Sequence, residues 1–508
     1  MQVTYKKSSK LCPMNVTGLL WGLLAVCSML CACDKSVTSP HVPPIRFAVS
    51  QAPLNLDPRY ATDAASERIN RLIYQPLVDF DASSRPVPKL ASWVSESAVV
   101  YRFTLNGHRA PFHHRSPLTA SDVKATYDSL ISNSPVALKD SPYAAEFANV
   151  AHIEVQDANT LTFHLKQPDP HFPEKLIIGI LPKDLIEKRH DFSHQPVGNG
   201  ALAFVSWHNM LILKRVGDGQ VIIITEVKDP TVRVLKLLRG ETDLLQGELP
   251  PELVKYLQSK PEIATATSQG ANFSYLGLNM QDPVLKEIKV RQAIAHAIDR
   301  QAVIERVMVK NTRIAGAILP PEHYAGNPGL KSYDYNPILA RQLLTEAGVK
   351  LPLKLVYKTS TDAQRVRLAT ILQAQMKPAG IDLEIRSLDW GTFFEDVKQG
   401  QFQLFGLTWV GIRAPEIYTK AFGSGSFPPN GFNRGRFADI ELDALLAKED
   451  WPAATARIHA QLPYIPLWHE GQFAAYSRSI YNYAPKPDGN WDDLTVVKRS
   501  ATISSYAH

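Results

Sequence analysis

The chain has 508 residues, 45% of them hydrophobic and 20% charged, a composition typical of a globular protein with a buried core. At about 150 residues per domain, this length suggests roughly three domains. The formal charge is +6, but three lysines lie in the first 33 residues, and the remainder carries 52 basic against 49 acidic residues, a net +3. This small excess, without a basic run or zinc-ligand spacing, argues against nucleic-acid binding. All four cysteines lie in the same 33 residues, which excludes disulfides and cysteine catalysis elsewhere.

The beginning of the chain has the pattern of a secretory signal. A segment with three lysines precedes an apolar run over residues 16–32, which is slightly short for a membrane span. The run ends in Leu-Cys-Ala-Cys33, which resembles a bacterial lipobox, and Asp34 resembles the signal that keeps lipoproteins at the inner membrane. We expect a lipoprotein signal peptide over 1–32, acylation of Cys33 and a tether over 33–44. The alternative is an uncleaved anchor. In both cases the body of the chain is exported and tethered, and the lipoprotein signal places it on the periplasmic side of the inner membrane.

The first part of the exported chain predicts strands and turns. Ile45–Val49 is a predicted strand, and Pro58 restricts Asp57 to an extended conformation, so a turn follows. An amphipathic segment covers Arg68–Leu77, and strict alternation predicts a half-buried strand over Val100–Leu105. Further strands are predicted at Val150–Val155, Thr160–Leu165 and Val221–Val227.

Three histidines lie close together in this part, at His108, His113 and His114. No carboxylate nearby completes a set of metal ligands, so we interpret them as a solvated turn. Neither a metal nor a cofactor is expected for the protein.

A strand passes directly into helices near the middle of the chain. Apolar and aromatic residues from Phe273 to Met280 predict the strand, and Val290 and Ile294 begin a helical spacing. Asp299 is placed to cap the next helix. Beyond it, Asn336 and Gly348 are predicted to begin and end a helix. A βαβ unit is then predicted from the segments Leu353–Tyr357, Arg365–Met376 and Ile381–Arg386.

The stretch Tyr275–Arg300 resembles the middle of the peptide- and nickel-binding receptors of ABC importers, the family 5 extracellular solute-binding proteins. The positions that agree are Gly277, Asn279, Lys289, Val290, Arg291, Ala293, Ile294, Ala297, Ile298, Asp299 and Arg300. Shorter matches, from Leu56-Asp-Pro58 to Leu462–Leu467, extend the resemblance over nearly the whole exported chain.

The resemblance implies an α/β fold, a two-lobed periplasmic binding protein of type II, class C, with an extra small domain and a ligand cleft between the lobes. The implied domains are domain I over 45–75, 191–282 and 471–508, domain II over 76–190, and domain III, the second lobe, over 283–470.

The resemblance also directs attention to the segment 409–416. Peptide receptors of the family carry Trp-x-x-Asp-x-x-Asp-Pro here, and the first aspartate pairs with the peptide's α-ammonium. In this chain Ile412 stands where that carboxylate is expected, and Ala414 precedes the proline. An unpaired ammonium in a closed cleft costs about 2–7 kcal/mol or more, so this mode of peptide capture is in doubt. Asp63 or Glu416 is the candidate replacement.

Other residues are candidates for ligand contact, each with an ordinary structural alternative. Arg413 either faces the cleft and binds a carboxylate or phosphate, or is a surface arginine at the rim. Trp409 forms either a cleft wall or part of the core. Tyr275 and Asn272 are hinge-side candidates or simple strand residues. The remaining candidates are Gly411 beside Ile412, and Thr62 beside Asp63 in a loop that related receptors send into the cleft.

The resemblance implies a substrate-binding lipoprotein of an ABC importer that captures a small solute, with short peptides as the first expectation, and delivers it to a permease and its ATPase. Alternatives are a receptor for a non-peptide anionic solute or metal chelate, a receptor that signals without transport, or an exported hydrolase. The hydrolase lacks support because G-x-S-x-G, H-E-x-x-H and P-loop motifs are absent. We expect a monomer and no enzymatic activity.

Overall fold

A computed structural model describes residues 42–61, 63–131, 137–138, 141–247, 249–428 and 431–500. The predicted signal peptide, most of the tether with Cys33 and Asp34, and the loop residue Thr62 lie outside the described residues.

The strands, in chain order, are β1 Ile45–Val49, β2 Val78–Phe80, β3 Pro86–Pro88, β4 Ala91–Ser97, β5 Val100–Leu105, β6 Val150–Val155, β7 Thr160–Leu165, β8 Leu202–Trp207, β9 Leu211–Arg215, β10 Val221–Glu226, β11 Leu244–Gln246, β12 Ile263–Leu278, β13 Arg313–Ile314, β14 Leu353–Ser360, β15 Ile381–Leu388, β16 Leu404–Trp409, β17 Tyr464–Ser477, β18 Ile480–Tyr481 and β19 Lys498–Arg499. The α-helices are α1 Ala64–Ile73, α2 Ala120–Asp128, α3 Lys183–Glu187, α4 Pro230–Leu238, α5 Pro251–Gln258, α6 Ile288–His296, α7 Arg300–Val307, α8 Pro337–Glu346, α9 Ala363–Met376, α10 Trp390–Gln399, α11 Glu416–Phe422, α12 Ile440–Ala447 and α13 Trp451–Gln461. Short 3₁₀ segments cover Ala144–Phe147, Phe172–Lys175, Lys377–Ala379 and Asp492–Thr495.

Two long antiparallel strands, β12 and β17, lie next to each other at the centre of the largest sheet. On one side the sheet continues through β11, β1, β10, β9 and β8, and on the other through β16, β14 and β15. β12 pairs with the C-terminal half of β17 from Ile263 to Ser268, and with its N-terminal half from Asn272 onward. A register shift separates the two halves. The strands therefore link a first lobe to a second lobe, and the irregularity lies at the crossing.

The first lobe is built around β1, which lies parallel to β10 and β11. Its alternate apolar residues enter a core that includes the C-terminal segment, where Trp491 packs edge-on against Phe47 with ring centroids 4.9 Å apart. The chain thus returns to its first lobe at its end. The predicted strand at Ile45–Val49 is confirmed.

A small domain with its own core extends from this lobe. Its sheet has the order β4-β5-β7-β6 and packs against α2. The strictly alternating burial predicted for Val100–Leu105 is confirmed, and Phe103 packs against Phe163 at 5.5 Å between centroids. Burial of each such aromatic side chain stabilises this small core by about 1.5–3 kcal/mol.

The second lobe contains the predicted βαβ unit, in which β14 and β15 pair in parallel and α9 connects them. The predicted caps are confirmed: the side chain of Asp299 accepts from the Ala302 amide, and that of Asn336 from the Leu339 amide. Gly348 follows α8 with φ of +71°, a conformation that glycine adopts without steric cost. The division of the chain into three domains at the residues given above stays a prediction.

At the crossing, the backbones of β12 and β17 approach closely beside Gly270. A Cβ atom at Gly270 would lie 1.5 Å from the carbonyl oxygen of Glu470, so only glycine fits. The neighbouring Ala271 amide donates to the Pro487 carbonyl at 3.0 Å, which ties the crossing to the C-terminal segment. In the described part of the chain, no helix combines the length and apolar character needed to cross a membrane.

Candidate functional site

The segment that follows β16 leads from the sheet of the second lobe to the seam between the lobes. Gly411 has φ of +69° and turns the chain away from the sheet, and Pro415 leads into α11. Ile412 is half-buried and packs against the core of the second lobe. The position expected to carry a carboxylate therefore presents a hydrocarbon side chain.

Arg413 joins the second lobe to the first. Its Nη2 donates to Oδ2 of Asp488 at 2.7 Å, and its Nη1 lies 3.9 Å from Oδ1 of Asp79. The guanidinium also lies 5.9 Å from the centroid of the Phe80 ring. Burial alone raises the pKa of Asp79, but the guanidinium of Arg71, with a further contribution from Arg413, holds that pKa below its usual value. The structure thus gives Arg413 carboxylate partners within the protein.

Arg434 was not among the candidate residues predicted from the sequence. It is 9% exposed, and its guanidinium carbon lies 4.7 Å from the ring centroid of Trp409 and within 6 Å of those of Phe394 and Phe432. Nη1 donates to the Tyr275 hydroxyl at 3.2 Å. Among the residues that the structure describes, no carboxylate forms an ion pair with Arg434. We call Arg434 with Trp409, Phe394 and Phe432 the arginine cage.

The arginine cage borders an apolar surface that is open to solvent. Trp390 is 54% exposed, Val410 47% and Phe432 42%, and Trp390 stacks on Phe394 at 5.4 Å. The indole Nε1 of Trp409 is shielded from solvent and has no hydrogen-bond partner in the described structure. A cation and a free donor therefore lie beside an exposed aromatic wall, an arrangement suited to a solute with both an anionic and an apolar part.

Tyr275 and Asn272 occupy different positions on β12. Tyr275 is buried and stacks on Tyr464 at 4.2 Å, and burial raises the pKa of its hydroxyl. It reaches the arginine cage through its hydrogen bond to Arg434 and through its ring, which stacks on Trp409 with centroids 6.3 Å apart. Asn272 is half-buried and stands opposite Glu470 at the register shift.

The two acidic candidates, Asp63 and Glu416, form no ion pair with Arg434 in the described structure. Asp63 caps α1, where its carboxylate accepts from both the amide and the hydroxyl of Ser66, at 2.9 and 2.5 Å. Glu416 begins α11 and lies beside His171 and Glu174 of the small domain. Among the described residues, the carboxylates of Asp63 and Glu416 therefore leave the guanidinium of Arg434 without an acidic partner.

The histidines of the predicted turn have backbone and hydroxyl partners, and one carboxylate, that of Asp184, lies 3.6 Å from Nε2 of His114. Nε2 of His113 is 3.0 Å from the Gly200 carbonyl, and burial lowers the pKa of His113. Nε2 of His114 is 3.0 Å from the hydroxyl of Ser116.

Two lobes joined by crossing strands, with charged and aromatic side chains at their seam, define a hinged solute-binding protein of the periplasmic type. Residues 85–426 match the model of the middle region of the bacterial extracellular solute-binding proteins, family 5, and the chain belongs to that family.

Relatives match along most of their length. The chain is 26% identical to heme-binding protein A of Haemophilus influenzae, covering 92% of this chain and 95% of the relative. It is 27% identical to the probable di/tripeptide-binding protein 5 of Pseudomonas aeruginosa, over 83% and 89%. The solved structure of the Helicobacter pylori periplasmic binding protein DppA with the peptide STSA superposes with a TM-score of 0.73 at 23% identity, covering 90% of this chain and 98% of that one. These findings confirm the predicted family, the two-lobed α/β fold and the role as the solute-binding component of an ABC importer.

Proposed function

We propose that this solute-binding protein captures a small anionic solute, with short peptides as the first class to test, by binding its carboxylate at Arg434. The observation that carries the proposal is a buried guanidinium without an acidic partner in the described structure. A buried charge is costly unless it is paired, and here only aromatic rings and one hydroxyl surround it. A ligand carboxylate supplies the missing partner.

A carboxylate suits this geometry. A guanidinium binds a carboxylate through two parallel hydrogen bonds, each worth about 1.5–3 kcal/mol when the groups are charged. The exposed rings of Trp390 and Phe432 offer contact area to an apolar side chain of the same solute. The names of the relatives, which include di/tripeptide-binding proteins, agree with such a ligand.

Recognition of the amine end of a peptide has weaker support in the structure. Ile412 replaces the family's aspartate, and Asp63 is engaged in capping α1. We therefore propose that recognition rests mainly on the anionic end of the solute. A non-peptide anionic solute or metal chelate is the second candidate, because Arg434 would bind its carboxylate in the same way.

A comparison of the affinities for a peptide with a free carboxylate and for the same peptide without it tests the proposal. Calorimetry with a dipeptide and its C-terminal amide should show at least a tenfold weaker affinity for the amide, and Arg434→Gln should remove this difference. Arg386→Gln, which alters an exposed arginine of the same lobe paired with Glu384, is the control. Equal affinity for the acid and the amide would contradict the role of Arg434.

The identity of the solute is tested by mass spectrometry of molecules released when the purified protein is denatured. Released peptides support the first class, and a released non-peptide anion supports the second. We propose no catalytic role, since the family match and the reported relatives concern binding proteins.

We also propose that Cys33 carries a lipid that holds the protein at the periplasmic side of the inner membrane as a monomer. Cys33→Ala should abolish incorporation of labelled palmitate and move the protein from the membrane to the soluble fraction. Persistent labelling of the variant would contradict acylation at this residue. Light scattering of the protein released from the membrane tests whether it is a monomer.

A further inference from the structure

Four side chains from both lobes meet at the edge of the seam. His171 and Glu174 come from the small domain, where His171 begins the 3₁₀ segment Phe172–Lys175. Glu416 and Glu449 come from the second lobe. One ligand atom each of His171, Glu174 and Glu416 lie within 4.8 Å of one another. We call these four residues the seam cluster.

The imidazole of His171 lies between two carboxylates. Its Nδ1 is 2.9 Å from Oε1 of Glu174, and its Nε2 is 2.8 Å from Oε1 of Glu449. One ring nitrogen therefore faces the buried side of the cluster, and the other is held by a carboxylate that is 44% exposed. A metal-binding histidine usually has this arrangement, because a carboxylate on the second nitrogen fixes the ring and its tautomer.

Two carboxylate oxygens in the seam cluster lack partners. The Glu174 side chain is 10% exposed, and its Oε2 is fully shielded and accepts no hydrogen bond from any described residue. Oε2 of Glu416 is shielded and unpartnered in the same way. A buried carboxylate oxygen without a donor costs free energy, so this pair of oxygens is suited to a cation.

Two basic groups near the seam cluster are already engaged, and the Tyr324 side chain also lies near the carboxylates of Glu174, Glu416 and Glu449. Lys175 pairs with Asp169 at 2.6 Å. Both ring nitrogens of His323 are used, by the Arg413 carbonyl at 2.6 Å and the Ala325 amide at 2.9 Å. Three carboxylates thus surround one imidazole, without a second basic side chain paired to Glu174 or Glu416 in the described structure.

We propose that the seam cluster binds a divalent transition-metal ion of the zinc class through His171 Nδ1 and one oxygen each of Glu174 and Glu416. A nitrogen and two oxygens suit Zn²⁺, whose ligands lie about 2.0–2.2 Å from the ion and hence roughly 3.4 Å apart. Because the ligand atoms now lie within 4.8 Å of one another, they must draw together by up to about 1.4 Å when the ion binds. Glu449 holds Nε2 and so positions the imidazole.

The consequence of such an ion is closure of the lobes. Its ligands come from the small domain and from the second lobe, so the complete set exists only when the lobes are together. An ion bound only to the closed state shifts the equilibrium toward closure. This inference is independent of the identity of the solute and of the role of Arg434.

Titration of the chelator-treated full chain, purified in detergent, with Zn²⁺ tests the proposal. We expect one ion per chain with a micromolar or lower Kd, a rise in melting temperature on binding, and visible absorption of a protein-bound complex with Co²⁺. Glu174→Gln and Glu416→Gln should each weaken Zn²⁺ binding at least tenfold. Glu449→Gln, which leaves the three ligands in place, should weaken it about 10–100-fold.

The chain offers a matched control. His194 and Asp191 also form a histidine–carboxylate pair, at 3.0 Å, but their side chains are 70% and 58% exposed. Asp191→Asn should leave Zn²⁺ binding unchanged. The melting temperatures of all metal-free variants show whether they are folded. Absence of stoichiometric binding, or binding that survives both Glu174→Gln and Glu416→Gln in folded protein, overturns the proposal.

Discussion

The guanidinium of Arg413 donates to the carboxylate of Asp488 at 2.7 Å, and this ion pair joins the second lobe to the C-terminal segment of the first. The two side chains are 22% and 31% exposed, so solvent screens their attraction only in part. The contact therefore favours the closed arrangement of the lobes. Arg413 can therefore have one of two roles: it stabilises the contact between the lobes, or it binds an anionic ligand directly.

The first prediction distinguishes these roles. Because closure and ligand binding are coupled, Arg413→Gln and Asp488→Asn should each weaken solute binding about 3–10-fold, corresponding to about 0.7–1.4 kcal/mol. The double variant should lose little more than either single variant, as calorimetry can show. If Arg413 instead anchors the ligand, Arg413→Gln abolishes binding while Asp488→Asn leaves it intact or strengthens it.

The second prediction concerns stability at the arginine cage. Replacing an unpaired buried charge by an apolar side chain of similar length often stabilises a protein, so Arg434→Met should raise the free energy of unfolding by about 1 kcal/mol. The same change should abolish binding of an anionic solute. Urea unfolding and calorimetry measure the two effects. Arg386→Met, at an exposed position, should change neither. A destabilised Arg434→Met protein would mean that the cation–π contacts outweigh the cost of burial.

The third prediction tests the close approach at the strand crossing. In Gly270→Ala the added methyl group meets the Glu470 carbonyl, so β12 and β17 must separate. We expect a loss of about 2–3 kcal/mol in the free energy of unfolding. Gly217→Ala is the matched control, because no atom lies within 4 Å of its Cβ position, and its effect should stay within about 0.5 kcal/mol. Equal stability of the two variants would show that the crossing tolerates displacement.

Features fixed by neighbouring residues were predictable from the sequence. Alternation over Val100–Leu105 gave the correct strand, because one face of it is buried in the small domain. Asp299 and Asn336 were predicted as caps because a short polar side chain can reach the free amides of the first helical turn. The fold as a whole was predicted from the resemblance of Tyr275–Arg300 to the sequence pattern of the family.

Features made by distant residues were not predictable in this way. The arginine cage joins Phe394, Trp409 and Arg434, which only the packing of α10, β16 and a later loop brings together. Arg413 was singled out, but its partner Asp488 lies 75 residues further along the chain. An arginine beside aromatic residues in the Pro/Gly-rich segment 427–435 was the available signal, and it is a weak one without the fold.

The last prediction concerns acid stability and His469 on β17. Its side chain is 1% exposed, Nε2 donates to the Ile318 carbonyl at 3.1 Å, and Nδ1 has no partner in the described structure. Burial lowers the pKa of His469 to about 4, whereas an unfolded histidine has a pKa of about 6.5. Between these values the unfolded chain takes up a proton that the folded protein does not, so stability falls as the pH falls from about 6.5 to 4.

At about 1.36 kcal/mol per pKa unit, this histidine accounts for a loss of up to about 3 kcal/mol across that range. His469→Gln keeps a donor for the Ile318 carbonyl but cannot titrate. Although less stable than the wild type at pH 8, it should therefore lose less stability on acidification, as urea unfolding at pH 8, 6.5, 5 and 4.5 will show. His208→Gln, at an exposed histidine that forms no ion pair with a described residue, is the control and should leave the pH dependence unchanged. Identical pH dependence of the wild type and His469→Gln would mean that His469 is not held neutral in the folded protein.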